Sequence, residues 1–328
     1  MEVSLLRYRP WRGKLHSPHK SVWTIARISL MMMFHRKIFW VMYSLGLFIF
    51  LMYFFGQYLL DWAETTTAET TISVGFIRTE PARFIEVLRN VLKFNGQPEM
   101  YRNFFWWQGS MVMIVLALAG SILVGNDFHF GSLPFYLSKP LGRWHYLGGK
   151  CLAVAVFVNL MTTIPAVILF LQVGFLKSWE YAVEGGYSLG SWTIAGEEWH
   201  LRLPNPLFFG ILGYGLVLTV CLSLLLVATA GWLKRTVPMV MVWTTVFFFV
   251  RLLTAALVDG LQYHPRWRLF DMWNNTNLLG SALLQVNPYG PRPDWQPSVA
   301  EAAIVLGAVS VLCLTYLSHR IRAVEIVR

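Results

Sequence analysis

Charge is what this 328-residue chain has least of: Asp, Glu, Lys and Arg make up 13% of it, while hydrophobic residues make up 56%. Soluble globular chains carry roughly 25% charged residues and 45–50% apolar ones, so this sequence has too little polar surface to cover its own cores in water. That excludes a disordered chain and a cytosolic enzyme with a single anchor. Cysteine is scarce as well. Cys151, Cys221 and Cys313 fall inside or at the edge of apolar runs and form no C-x-x-C pair, which excludes a disulfide scaffold and leaves small packing residues. The eight histidines are dispersed, with no H-E-x-x-H and no Ser-His-Asp order on one face, so no catalytic and no metal-ligating residue is assigned. A Walker A loop needs Gly-x4-Gly-Lys-Ser/Thr to cradle phosphates with backbone N–H groups. The nearest approach, Gly148-Gly149-Lys150-Cys151, has Trp144 in place of the first glycine and Cys151 in place of the hydroxyl. By this reading the chain is not an enzyme and binds no cofactor of its own.

What the sequence has in abundance is long apolar runs. They predict transmembrane helices at Ile38–Leu60, Phe104–Gly125, Cys151–Leu176, Leu207–Leu233, Val237–Val258 and Val299–Ser318, with only Arg251 and Glu301 charged within them. A hydrocarbon layer of ~30 Å needs roughly 18–20 residues at 1.5 Å each, and continuous runs rather than short alternating segments exclude a β-barrel. The expected fold is an all-α integral membrane protein of six spans in one domain, 38–318. The first span should be kept as an anchor, because no small-residue cleavage site follows it. An even count places both termini on one side. With the termini inside, the inner segments hold 16 basic and three acidic residues, and the outer segments ten basic and 14 acidic. The positive-inside rule then puts both termini in the cytoplasm of a cell or inner membrane. The net charge of +10 thus becomes a basic inner face suited to anionic lipid rather than a nucleic-acid signature.

Outside the spans, Ser17–His35 sets Lys20, Thr24 and Arg27 against Trp23, Ile25, Ile28 and Met32, the pattern of an amphipathic helix lying in the inner interface. It belongs to a cytoplasmic N-terminal segment, 1–37; a tail, 319–328, closes the chain. The first outer loop, 61–103, is long. Phe84, Val87, Leu88, Val91 and Leu92 recur in it at helical spacing after Pro81, predicting a short helix. Asn287-Pro288 opens a Pro- and Gly-rich turn ahead of the last span.

The most distinctive stretch is the inner loop 126–150. Asp127, Phe128, His129, Gly131, Ser132, Leu133, Phe135 and Leu137 combine an acidic start, a Gly-Ser pair and exposed aromatic and aliphatic residues, followed by Lys139-Pro140, Arg143 and Gly149-Lys150. Aromatics ringed by Lys and Arg have the composition of a protein docking surface. This loop resembles the signature cytoplasmic loop of the permease subunits of the type-2 ATP-binding-cassette exporter family. Six spans, an interfacial helix before the first and Asn-Pro before the last extend the similarity over the whole chain. Pro134, inside the run expected to be helical, and Ser132, where Thr is commoner, depart from the pattern. The resemblance implies that Asp127 to Leu137 form a coupling helix seated in a separate ATPase subunit, with Lys139 and Arg143 as further contacts. It also implies two permease copies, as a homodimer, with two ATPase subunits that carry ATP and Mg.

Among the spans, Asn159, Thr162, Thr163 and Arg251 are the candidate substrate-path residues, and Pro165 and Pro238 are expected to kink or begin their helices. Asn159 and the threonines serve equally as interhelical hydrogen-bonding groups. Arg251 could instead snorkel outward, since Val258 lies only seven residues on. An apolar path favours a hydrophobic or amphiphilic substrate. The rival reading is a stand-alone secondary transporter or channel, which calls for several intramembrane carboxylates or an inverted repeat; neither is evident.

Overall fold

The computed structural model of the chain describes residues 18–65, 93–120, 143–177, 205–233, 235–289 and 295–320, with short pieces at 72–74, 77–79, 85–86, 89, 188–194 and 197–202. It is a helical protein. Five helices are long and apolar enough to cross a membrane: Phe39–Trp62, Trp144–Leu176, Pro206–Leu233, Thr236–Gly260 and Val299–Arg320. They mark a multi-pass membrane protein.

Helix α1 (Pro18–Phe34) buries Ile25, Ala26, Ser29, Leu30 and Met33, a single face at helical spacing, against α4 (Arg143–Met161). Lys20, Thr24 and Arg27 are exposed as the sequence pattern predicts, but Trp23, Ile28 and Met31 are exposed too. The helix therefore has one protein face and an apolar face left open, as an interfacial helix requires. A tight turn leads into α2 (Lys37–Thr65), where the Trp40 indole N–H donates to Phe34 O at 2.8 Å.

Helix α3 (Pro98–Gly120) is the second span expected from sequence, and it is not among the five. Glu99, Arg102, Asn103 and Gln108 occupy its first half, and residues 121–125, which complete the expected apolar run, lie outside the described residues. Nonetheless it is a core element: Met100, Tyr101, Phe104, Phe105, Val112 and Leu116 are fully buried.

The third expected span starts earlier than its apolar run. Helix α4 begins at Arg143 rather than Cys151, because Tyr146, Leu147, Gly149 and Lys150 are buried where α1 packs. The helix is interrupted at Thr162, and α5 (Thr163–Lys177) carries on. Pro165 supplies no N–H to Met161 O, while Thr162 N bonds Val158 O at 2.9 Å and Ala166 N bonds Thr162 O at 3.0 Å on either side of the break.

Helix α6 (Pro206–Leu233) is the central post, touching α3, α4, α5, α8 and α9. Helix α7 (Thr236–Gly260) starts with Pro238 in its first turn and contains two π-helical turns, Thr245–Phe249 and Ala256–Gly260. Helix α8 (Met272–Leu283) packs between α6 and α9 (Val299–Arg320). The start of α9 is a capping box: Glu301 N donates to Ser298 Oγ at 3.2 Å and Ser298 N to Glu301 Oε2 at 3.1 Å. The one acidic residue in the last span is thereby a cap, and it also pairs with Arg266 at 2.8 Å.

Three elements between the spans were not foreseen: α8, an antiparallel hairpin of β1 (Ile72–Val74) and β2 (Ile77–Thr79), and a second of β3 (Ser188–Ile194) and β4 (Glu197–Arg202). The helix expected over residues 81–92 lies almost wholly outside the described residues, as does the loop from 121 to 142. The Asn287 side chain accepts from Tyr289 N at 3.0 Å, forming the turn expected there.

Helices approach one another closely where glycine permits. A Cβ on Gly215 would run into Thr163 Oγ1, and one on Gly280 into the Tyr214 ring. We predict that Gly215→Leu, which forces α5 and α6 apart, costs about 1–3 kcal/mol and lowers the thermal midpoint in detergent. Gly307→Leu, whose Cβ meets nothing within 4 Å, should leave that midpoint unchanged.

Candidate functional site

Three of the four intramembrane candidates lie together on the faces of α4 and α5 that meet α6. Asn159 Nδ2 donates to Thr219 Oγ1 across the helices at 3.0 Å and to Ala155 O at 2.8 Å. Thr162, fully buried, returns its hydroxyl to Val158 O at 2.8 Å, and Thr163 is pressed against Gly215. These contacts join helices in a region already filled by Val158, Leu218 and Leu222. Gln172 does the same between α5 and α2, donating to Phe54 O at 2.9 Å.

Arg251 stands apart from them. It lies on the stretch of α7 between the two π turns, and its guanidinium sits 4.3 Å from the Trp106 ring centre on α3, a cation–π contact. Trp106 also meets Trp273 of α8, the two rings tilted at 44° with centroids 5.4 Å apart. Among the described residues Arg251 has no salt-bridge partner. From this Arg–Trp–Trp cluster a groove of about 420 Å³ runs between α3 and α7. Ser110, Met113, Ile114, Ala117 and Leu118 line one wall, and Val240, Trp243, Thr244, Phe247 and Phe248 the other. Its volume is within the ~300–1,000 Å³ typical of ligand pockets, and its lining is apolar except for Arg251, Ser110 and Thr244.

Of these groove residues only Arg251 stood out in the sequence. Trp243 is buried on α6, its indole N–H donating to Thr229 Oγ1 at 3.1 Å, and Trp106 carries the cation. The other lining residues are apolar positions within apolar helices, which nothing in composition distinguishes from lipid-facing ones.

Asp271 anchors the outer part of the cluster. It is buried and caps α8, accepting from Trp273 N at 2.9 Å and Asn274 N at 3.1 Å. Burial raises its carboxyl above the usual carboxylate range. The two backbone donors and the charges of Arg251 and Arg268 pull it back only in part.

Of the docking residues expected from sequence, Asp127, Phe128, His129, Gly131, Ser132, Leu133, Phe135, Leu137 and Lys139 lie outside the described residues, and Arg143 opens helix α4. Next to it, Lys150 is buried, its Nζ donating to Ser29 Oγ of α1 at 3.0 Å and lying 5.7 Å from the Tyr146 ring centre. Cys151, Cys221 and Cys313 are free thiols.

The raised Asp271 pKa fixes the sign of a pH effect. The native state holds this proton more tightly than the unfolded chain, so its contribution to stability falls as pH rises from the ordinary carboxylate value through the raised one. Asp271→Asn, which retains a capping acceptor, should flatten that dependence and melt above wild type at neutral pH. Asp271→Ala should lose the cap, at about 1 kcal/mol, in thermal unfolding of the detergent-solubilised protein. No protein-family model and no curated protein sequence matches this chain.

Proposed function

We propose that this chain is the permease subunit of a type-2 ATP-binding-cassette exporter, moving a hydrophobic or amphiphilic substrate by alternating access driven by a separate ATPase. In this reading α3 is the sixth span and both termini are cytoplasmic. Two copies pair as a homodimer, and the 126–150 loop of each docks one ATPase through Asp127 to Leu137, Lys139 and Arg143. ATP and Mg belong to the ATPase, whose closure would bias the permease between two states.

The observation that carries the reading is the length and anchoring of the helix that follows the loop. Trp144–Leu176 spans 33 residues across the break at Thr162, about 50 Å of helix at 1.5 Å each, against a hydrocarbon layer of ~30 Å. Several turns must therefore stand outside the hydrocarbon. At its loop end this helix is held by α1: Lys150 reaches Ser29, and Gly149 lets Ile25 approach so closely that a Cβ would meet it at 2.8 Å. A push on the loop would thus be delivered to a rigid pair, α1 and α4, and through Asn159 and Thr219 to the central helix α6. A stand-alone channel has no evident use for such a protruding, braced helix beside a basic docking loop.

Affinity-tagged permease should carry an ATPase chain through purification from its native membrane, and Gly131→Arg should reduce its recovery at least tenfold. Gly149→Leu, at the α1 contact rather than among Asp127 to Leu137, should pry α1 from α4, lowering ATP-driven transport more than ATPase recovery. Absence of any ATPase, together with undiminished transport by Gly131→Arg, would sink the proposal.

A further inference from the structure

We propose that the groove between α3 and α7 binds an anionic amphiphile, with its head group on Arg251 and its chain lying along the apolar walls toward Val240 and Leu118. A transport role for this site rests on the exporter reading; the binding itself does not.

The shape of the groove selects a chain with one charged end. From Val240 to Arg251 is eleven residues, about 16 Å along the helix, which is close to half of a ~30 Å hydrocarbon layer and so to the length of chain one leaflet accommodates. Its volume of about 420 Å³ suits a single chain better than a folded peptide. The walls offer Met113, Ile114, Phe247 and Phe248 to hydrocarbon, and the groove's one formal charge is the cation at one end.

That charge is placed to be used. A cation within a membrane span costs about 2.5 kcal/mol or more near the centre and is kept where it has a partner. Arg251 has the face of Trp106, which occupies one side of the guanidinium and leaves its N–H fork to other acceptors. The nearby carboxylate, Asp271, feels the charge of Arg251 but makes no salt bridge to it among the described residues, its Oδ1 accepting two backbone N–H groups at the start of α8. A phosphate or carboxylate head group would supply the fork–fork partner that the guanidinium geometry favours.

The backbone around Arg251 points the same way. The two π turns lie immediately before and shortly after it. Each widens the helix by one residue, turning downstream side chains to a new face, and such turns recur at functional sites. The first of them contains Phe247 and Phe248, which line the same groove as Arg251 just beyond it. The two turns also leave the cation free to follow a head group through small backbone adjustments.

The test is photo-crosslinking of the purified full-length protein with hexadecyl phosphate bearing a diazirine in its chain. Adducts should map by mass spectrometry to Met113, Ile114, Phe247 or Phe248. Excess unlabelled hexadecyl phosphate should displace the probe, while inorganic phosphate should not. The matching hexadecanol probe should label at least tenfold less. Arg251→Gln should lower labelling by the phosphate probe about tenfold, the loss of a charge-assisted contact, and Arg251→Lys should retain part of it. Thr244→Trp, at an exposed position on the groove wall, should block labelling without altering elution volume or thermal midpoint. Equal labelling by both probes, labelling indifferent to Arg251→Gln, or adducts confined to α9 would overturn the proposal. So would a Thr244→Cys disulfide between two copies that forms regardless of probe, since a second copy's helix would then fill the groove. Because the experiment needs no ATPase, its failure beside successful ATPase recovery removes this site and leaves the exporter reading standing, and the converse result does the opposite.

Discussion

Within a lipid layer apolar surface gains little by meeting other apolar surface, so helices hold together through close packing and a few hydrogen bonds between them. The bundle depends on that constraint. Its contact points are glycines and small polar groups: Gly215 against Thr163, Gly280 against Tyr214, Asn159 to Thr219, Gln172 to Phe54, Trp243 to Thr229. All but the Gln172 contact involve α6, directly or through Tyr214, which also stacks on Phe105 of α3 at 4.5 Å. The result is one densely packed centre and a periphery attached to it. Removing a glycine at such a contact separates backbones and forfeits the dispersion of every pair around it.

The periphery is uneven. Only 11% of the apolar window of α7 is buried, against 61% for α6. Helix α7 touches the bundle through Met239 and Trp243 in its first half and, beyond them, through the Arg251–Trp106 contact and the buried Thr254 and Val258. Between those two attachments lies the groove. A helix pinned at two places and spaced by π turns leaves a gap that a continuous α-helix with 3.6-residue periodicity would have closed with its own side chains. The cavity is thus a direct consequence of where tight packing stops, and the cation at its end is the one charged side chain in its lining.

Most of the spans were legible in the sequence because hydrocarbon admits only self-satisfied backbone, and five of the six expected runs appear as apolar helices within a few residues of their predicted ends, save the early start of the third. Pro165 and Pro238 did what a missing N–H and a fixed φ impose. The parts that escaped did so for identifiable reasons. The first two turns of α4 contain Arg143, His145 and Lys150 and read as a loop until α1 covers them. Helix α8, with Asn274, Asn275 and Asn277, has a turn-like composition, yet Asn275 Nδ2 donates to Leu269 O at 2.7 Å and the Tyr214 hydroxyl to Asn277 Oδ1 at 3.2 Å. The facing of Arg251 was beyond reach, since the π turn just before it shifts the phase on which any face assignment relies. Asn159 and the two threonines carried the right chemistry, and the structure places them on packed helix faces.

The two halves of the molecule meet in α6 and α3. On one side the braced pair α1 and α4 touches α6 through Asn159 and Thr219; on the other, α7 touches α6 through Trp243 and Thr229, and α3 through Trp106. Packed interiors respond to displacement by switching between arrangements rather than by deforming smoothly. A shift of α4 that carries α6 with it must then move Thr229 relative to Trp243 or carry α7 along. In the first case the groove changes width, and in the second Arg251 changes its position over Trp106. Either movement alters the contact with a bound head group, so a displacement begun at the loop end of α4 reaches the groove through two hydrogen bonds and one central helix.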